Sequence, residues 1–354
     1  MDYSPVILVT GATGAVGPRV VAALRDAEFR VRTLSIDSPP VGVWPDGVEA
    51  RIGDITDPAA VESVMQGVDG VIHLAALLHV VNPPPELQQK YEQINIGGTA
   101  AVVGAAREAG VKRLVFFSTI AVYGASAGSI LTEDSPTHPD SFYAQTKLDA
   151  ERIVLAAIRE DRKPLGVVLR LGAVYGARIK GNYQRLLLAL VRGRFLPIGR
   201  GENRRTLVYD KDVARAALLA LEHADAAGKI FNVSDGQFHT LNEIISTICQ
   251  ALGRKPPWLM LPGNLETRYQ FLARLGHVPR LPVGLVRFAA GIVEDLARMT
   301  GISSPIVRAT IDKYTEDIAV DSRRIRNELG FEPLYDLAAG WKETVQEMRR
   351  AGEL

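Results

Sequence analysis

Apolar and polar positions follow two rhythms along this chain. In the first half, short runs that are apolar throughout, such as Val6-Ile7-Leu8-Val9 and Leu114-Val115-Phe116-Phe117, alternate with stretches that carry apolar residues at helical spacing. A run apolar on both faces predicts a strand buried between two layers, and helix-period segments between such runs predict the crossovers of a parallel sheet. Strands are expected at 5–10, 30–35, 48–52, 69–74, 112–118 and 165–171, with helices near 15–28, 57–66, 86–109 and 140–161. Right-handed crossovers in that order give an α/β protein built on a doubly wound parallel sheet.

Beyond about residue 172 the rhythm changes. Glycine and proline become denser, strands become sparse, and helical patterns dominate near 182–193, 240–252, 283–300 and 321–330. Pro256-Pro257, Pro262 and Pro282 punctuate this part. The expected division is a sheet domain over 1–171 and a smaller mixed part over 172–354 that binds substrate and interleaves with the sheet domain. A length of 354 residues agrees with about two domains.

Composition narrows the function classes. Apolar residues make up 47% and charged residues 23%, which is ordinary globular usage. The formal charge is +1, from 41 basic against 40 acidic residues, so a general nucleic-acid binder is disfavoured. Cys249 is the single cysteine, which excludes an internal disulfide framework and a multi-cysteine zinc site and fits a reducing compartment. No His/Asp/Glu cluster has ligand spacing, so no metal is expected. The longest apolar run within 182–193, Leu186 to Val191, is far below the ~18 residues of a membrane span. The N-terminus has no basic stretch before Val6, so no leader is expected. A soluble cytoplasmic protein without membrane or nucleic-acid partners is the expectation.

The first chemical signal is Thr10-Gly11-Ala12-Thr13-Gly14-Ala15-Val16-Gly17, which closes the first strand and opens the first helix. One glycine permits the tight turn, one lets the backbone approach a pyrophosphate, and one lets helix and strand pack closely. The helix N-terminus then offers free N–H groups to phosphate. In that context the pattern predicts a Rossmann-type dinucleotide site, with Gly11, Thr13, Gly14, Ala15, Val16 and Gly17 around the pyrophosphate. Ser35 ends the second strand where an acid would grip the ribose 2′-hydroxyl, and Asp37 lies two residues on. Arg32 lies inside the strand and Arg51 is distant, so NAD is expected, with NADP not excluded. Asp54 and Ile55 follow the third strand and are candidates to flank adenine, while Asp57 is the better cap for the helix starting at Pro58. His73 closes strand four ahead of Leu74-Ala75-Ala76 and reads as a core histidine; the two alanines leave room for a ring system.

Tyr143 and Lys147 stand at i and i+4 near the start of a helix, so phenol and ammonium share a face. A nearby ammonium lowers a tyrosine's pKa, which suits proton exchange with a substrate hydroxyl. Strand five ends Ser118-Thr119 at the carboxyl edge of the sheet, where either hydroxyl can meet the same substrate oxygen or cap backbone groups.

Together these residues resemble the extended short-chain dehydrogenase/reductases, in particular their NAD-dependent nucleotide-sugar epimerase and dehydratase branch. The glycine turn, His73-Leu74-Ala75-Ala76, Asn95-Ile96-Gly97-Gly98-Thr99, Ser118-Thr119 with Val122-Tyr123-Gly124, and Tyr143 with Lys147 agree in order and spacing. The likeness continues through Arg170-Leu171-Gly172-Ala173-Val174-Tyr175-Gly176, Arg205 to Ala214, Asp321-Ser322-Arg323-Arg324 and Glu328 to Pro333, and is looser over about 255–320. It implies Thr119, Tyr143 and Lys147 as catalytic residues, with Lys147 also binding the nicotinamide ribose. It implies Leu74, Ala75 and Ala76 along the cofactor path, and Asn95 as the asparagine behind the active site, counted with the cofactor contacts.

The resemblance also bears on the reaction. The 4,6-dehydratases carry Asp-Glu straight after the catalytic threonine, whereas Ile120-Ala121 stand here; decarboxylating members carry Glu at the Ala121 position. A 4-epimerase needs only tyrosine, lysine, a hydroxyl and NAD. Substrate contacts are expected from Ser118, Thr119, Asn182 and Arg205, since arginine suits a diphosphate. Ala173, however, occupies a position where many sugar-nucleotide members have asparagine, and Arg308 is a poorly registered second diphosphate arginine. Two other readings stay open: a dehydrogenase or reductase of a hydroxysteroid-like alcohol or ketone, with Trp258 to Leu261 and Leu285 to Val293 lining its pocket, and an NAD(P)-sensing protein on the same fold. A homodimer through the helices near 86–109 and 140–161 is implied. His79 and His138 fall in loops near the expected site.

Overall fold

The computed structural model describes residues 4–39, 42–44, 46–78, 84–195, 197–257, 282–284, 286–288, 290, 291, 312 and 314–354. The chain divides into two compact units. One spans Met1–Ile179, Leu207–Gln237 and Val320–Leu334, and the other Lys180–Thr206, Phe238–Ala319 and Tyr335–Leu354.

The first unit holds the sheet. Its strands are β1 (Val6–Thr10), β2 (Arg30–Ser35), β3 (Glu49–Ile52), β4 (Gly70–His73), β5 (Arg113–Thr119) and β6 (Gly166–Leu171), with β10 (Ile230–Val233) arriving from much later in the chain. Among the described residues these seven run parallel in the order β10-β6-β5-β4-β1-β2-β3. β1 therefore lies between β4 and β2, and the direction of winding reverses there, which opens a crevice at the carboxyl ends of β1 and β4.

Both faces of the sheet are covered, which is why its central strands read as unbroken apolar runs. On one face α1 (Gly17–Asp26) and α7 (Asp210–Glu222) pack Val20, Val21, Leu24, Val213, Ala216 and Ala217 against Ile7, Val9 and Leu169. On the other, α2 (Pro58–Met65), α4 (Thr99–Glu108) and α5 (Phe142–Ala156) bring Val61, Met65, Val102, Ala106 and Val154 onto Leu8, Phe116 and Val168. The helix expected at 86–109 is one rod, α3 (Pro85–Tyr91) running into α4 through a wide π-type turn, Glu92–Gly98.

β10 ends the sheet, and its outward Asn232 N–H is taken by Glu133 Oε1 at 2.8 Å. α9 (Arg323–Leu329) packs beside it. A short parallel pair, β7 (Ala173–Tyr175) with β9 (Leu207–Tyr209), completes this unit. The sequence pattern did not reveal β7, β9, β10 or α7; a strand of three or four residues is too short to show a period.

In the second unit, β8 (Arg204–Arg205) pairs antiparallel with β11 (His239–Thr240). Its helices include α6 (Asn182–Val191), α8 (Leu241–Leu252) and α10 (Leu337–Arg350) among the described residues. Thr240 and Glu243 form a reciprocal cap on α8. Trp341, fully buried on α10, meets the ring of Tyr183 edge-on at 6.3 Å. The expected segment 283–300 falls mostly outside the described residues. No described helix is long and apolar enough to cross a membrane.

Candidate active site

The glycine turn leaves β1 at the winding reversal. Gly11 has φ +70°, and a Cβ there would stand 2.7 Å from the backbone N and Cα of Ala75. The turn after β1 and the segment after β4 are thus pressed together, and only a residue without a side chain fits between them. Gly17 meets Ala12 as tightly, with an added Cβ 2.1 Å from the Ala12 carbonyl oxygen. At Gly14 the nearest atom would be the Gly11 oxygen at 3.0 Å, so this turn is open where a pyrophosphate needs to approach. The bare helix start supports the same use: Val16 caps α1 without a side-chain bond, and Pro18 follows Gly17. Thr13, Ala15 and Val16 complete the cradle, Ala75 and Ala76 are half-buried beside it, and Leu74 N donates to Thr10 O. These residues fit a dinucleotide.

Around the adenosine end, Ser35 is buried and its hydroxyl accepts from Thr13 N at 3.3 Å, so it braces the glycine turn. Asp37 is exposed. Asp54 folds back to accept from Thr56 N, and Asp57 caps α2 through Ala59 N, as expected of the better cap. Ile55 is buried against Gly98, where a Cβ would lie 2.5 Å from its side chain. Gly98 in the π-type turn is thus the seat for Ile55.

His73 is the core histidine its sequence position indicated. It is fully buried, with Nδ1 2.6 Å from Thr10 Oγ1 and Nε2 3.0 Å from Thr99 Oγ1. Thr99 donates its proton to Asn95 O, so it accepts from Nε2–H, and Nδ1 accepts from Thr10. Burial, aided by the Lys147 charge, pulls the His73 pKa down to about 3. An unfolded histidine titrates near 6.5. Between those values the unfolded chain binds the extra proton, so stability is full above 6.5 and is lost as pH falls toward 3. Urea titrations should show about 2 kcal/mol of this loss between pH 6.5 and pH 4.5, absent in His73→Gln. Equal pH slopes in both proteins would refute it.

Asn95 spends its amide on structure. Oδ1 accepts from Leu77 N at 2.7 Å, and Nδ2 reaches Leu77 O and Thr146 Oγ1. It fastens the segment after β4 to α5, behind the site, and its direct cofactor contact is not supported.

Tyr143 and Lys147 lie on the first turns of α5, capped by Ser141, and α5 packs against β5 and the turn that follows it. Lys147 is buried, its Nζ 3.9 Å from the centre of the Phe116 ring. Tyr143 is half-buried and meets Tyr91 edge-on at 6.3 Å. Thr119 ends β5 half-buried, and its Oγ1 accepts from Ala121 N at 3.1 Å, starting the tight turn Ile120–Tyr123. Two expectations need correction. The tyrosine is not lowered in the free protein: burial, with Tyr91 adding to it, pushes Tyr143 up to about 12, while burial pulls Lys147 down to about 7. Ser118 does not face substrate either. Adjacent strand residues point to opposite faces, and Ser118 is buried with its hydroxyl donated to Glu151.

In the second unit, Asn182 begins α6 and its Oδ1 accepts from Arg185. Arg205 donates to Tyr314 O at 2.9 Å and lies 3.7 Å from Glu316, while Arg204 clasps Asp317. His138 is exposed, its carbonyl oxygen only 2.3 Å from where a Gly124 Cβ would lie. His79, Arg308 and Trp258 to Leu261 lie outside the described residues, as do Leu285, Ala289, Ile292 and Val293 of the stretch Leu285 to Val293. Among the described residues no group of three His, Cys, Asp or Glu side chains is placed to hold a metal. The Glu151–Arg170 pair behind Ser118 escaped sequence reasoning; the signal was a glutamate four residues past Lys147.

The model of the NAD-dependent epimerase/dehydratase family matches residues 7–234. The chain belongs to that family. Among relatives, it is 28% identical to UDP-glucose 4-epimerase of Vibrio cholerae over 353 residues, covering 98% of this chain and 96% of that one. It is 26% identical to 3 beta-hydroxysteroid dehydrogenase/Delta 5-->4-isomerase of Mycobacterium tuberculosis over 345 residues, covering 93% and 86%. The structure of MoeE5 in complex with UDP-glucose and NAD superposes with a TM-score of 0.72 at 26% identity, covering 98% of this chain and 99% of that one. This member of the NAD-dependent epimerase/dehydratase family carries its glycine turn at the winding reversal of a parallel sheet.

Proposed function

We propose that this chain is an NAD-dependent 4-epimerase of nucleotide sugars. Gly11, Thr13, Gly14, Ala15, Val16 and Gly17 hold the dinucleotide at the helix start, with Lys147 at the nicotinamide ribose. When bound, NAD supplies a hydride acceptor that can return the hydride. Tyr143 takes the proton from the sugar's C4 hydroxyl at its phenolic oxygen, then gives it back when the opposite epimer forms. The Thr119 hydroxyl hydrogen-bonds the same C4 oxygen and keeps it aimed at Tyr143. The Lys147 ammonium stabilises the tyrosinate, which the buried site otherwise resists. The observation that carries this reading is the turn after β5. Ile120, buried, and Ala121, half-buried, bring no proton-transfer group beside Thr119, so proton chemistry falls to Tyr143. Asn182 and Arg205 are the proposed diphosphate contacts, and α4 and α5 the proposed homodimer face.

The test is a screen of UDP- and GDP-sugars for interconversion without net NADH, with NAD found in the supernatant of the denatured protein. No turnover on any of them overturns the epimerase. A second reading, dehydrogenation of a hydroxysteroid-like alcohol, draws on the mycobacterial relative and on Ala173. It predicts net NADH and an easily lost cofactor.

The 2′ position gives a separate outcome. Beyond β2 stand Ile36, 68% exposed, and Asp37, while Arg32 and Arg51 are both paired with Glu49. A 2′-phosphate would meet an acid. Calorimetry should show NAD binding about 100-fold tighter than NADP, and equal affinities would refute this.

A further inference from the structure

Behind the site lies a buried ion pair that the proposed reaction does not use. Glu151 is four residues past Lys147 on α5, hence on the same helix face. Its side chain is 1% exposed and that of its partner Arg170, on β6, 4%. Arg170 Nη2 donates to Oε2 at 2.6 Å, and Nε to Oε1 and Oε2 at 3.0 and 3.1 Å. Ser118 donates its hydroxyl to Oε1. The carboxylate is thus fixed from two sides. The Arg170 guanidinium also covers the ring of Tyr123, whose hydroxyl donates to Asn232.

Stability does not explain such a pair, since well-packed apolar residues serve a core as well or better. Its place next to Lys147 does. The groups facing Lys147 are Tyr143 on its own helix, His73 on β4 and Phe116 on β5. His73 is neutral in its hydrogen-bonded seat, and Phe116 offers only a ring face. Arg170, on β6, is turned onto Glu151 itself. The negative charge acting on Lys147 comes from Glu151.

We infer that Glu151 is a positioning residue that acts through Lys147: its carboxylate, fixed by Ser118 and Arg170, is the counter-ion that keeps the buried lysine an ammonium. The inference rests on the reading of Tyr143 and Lys147 as the catalytic pair. Because burial already pulls Lys147 to about 7, losing this charge would empty the ammonium form at neutral pH. A purely structural Glu151 would leave the titration of Lys147 where it is.

The test follows that titration directly in protein labelled with 13C at lysine Cε, the Lys147 signal assigned by its loss in Lys147→Arg. In Glu151→Gln the midpoint should fall by about one pH unit or more. Should Arg170, left unpaired, unfold that variant, the double variant Glu151→Leu with Arg170→Met removes both charges, and its midpoint should fall likewise. A folded variant of either kind with an unchanged midpoint overturns the inference. No substrate or cofactor enters the measurement. A Tyr143→Phe enzyme that kept full activity would therefore refute the catalytic reading and leave the titration result standing.

Discussion

Tyr143→Phe is expected to lower kcat by about 1000-fold while NAD affinity stays unchanged. The substitution removes one hydroxyl and keeps the ring that meets Tyr91 edge-on, so α5 keeps its packing. Lys147 stays over Phe116 and Thr119 stays on its turn. What goes is the atom proposed to exchange the substrate proton. Steady-state rates on the sugar identified by screening, with calorimetry for NAD, check both halves. Wild-type turnover would overturn the assignment of Tyr143.

Gly17→Ala should do as much damage by a different route. An added Cβ would stand 2.1, 2.4 and 2.6 Å from the carbonyl oxygen, carbonyl carbon and Cα of Ala12. These are backbone atoms and cannot rotate aside, so α1 must lift off the turn. The expected cost is about 3 kcal/mol of stability, the upper end of overpacking. The helix start moves with it, so NAD affinity should fall by about 100-fold. Gly14→Ala separates the two effects. Its Cβ meets only the Gly11 oxygen, at 3.0 Å, so the fold should melt nearly as the wild type while NAD binding weakens. Urea unfolding and calorimetry on both variants check this, and a Gly17→Ala protein with wild-type NAD affinity would refute it.

Much of this fold was legible because β1, β4, β5 and β6 are buried on both faces, and apolar runs of that kind have few alternatives. Order alone then put the glycine turn, Thr119 and the helix of Tyr143 at one edge of the sheet. β10 was hidden by distance: Ile230–Val233 joins the sheet some 60 residues after β6, a pairing that no local pattern announces. α7 follows the three-residue strand β9 directly at Asp210, so no loop or turn residue marks where its helical pattern begins.

In the site, spacing found the tyrosine and lysine but misjudged their electrostatics. The i, i+4 rule places side chains on a face and says nothing of how dry that face is. Here burial dominates, so Tyr143 rises and Lys147 falls. Ser118 and Thr119 could not be told apart from their neighbours in sequence. The strand's pleat decided, sending Ser118 to Glu151 and leaving Thr119 at the edge.

The Glu133–Asn232 bond has a consequence outside catalysis. The rim of a sheet is a template on which a strand from another molecule can dock and begin a fibre. With the Asn232 amide already claimed by a carboxylate, an incoming strand at β10 would have to displace that carboxylate before making its own bond. At the far rim, β3 is short and shows Glu49 and Arg51 to solvent. Each rim of the sheet therefore carries its own obstacle to growth by self-association, one made of a side chain folded back and the other of charge.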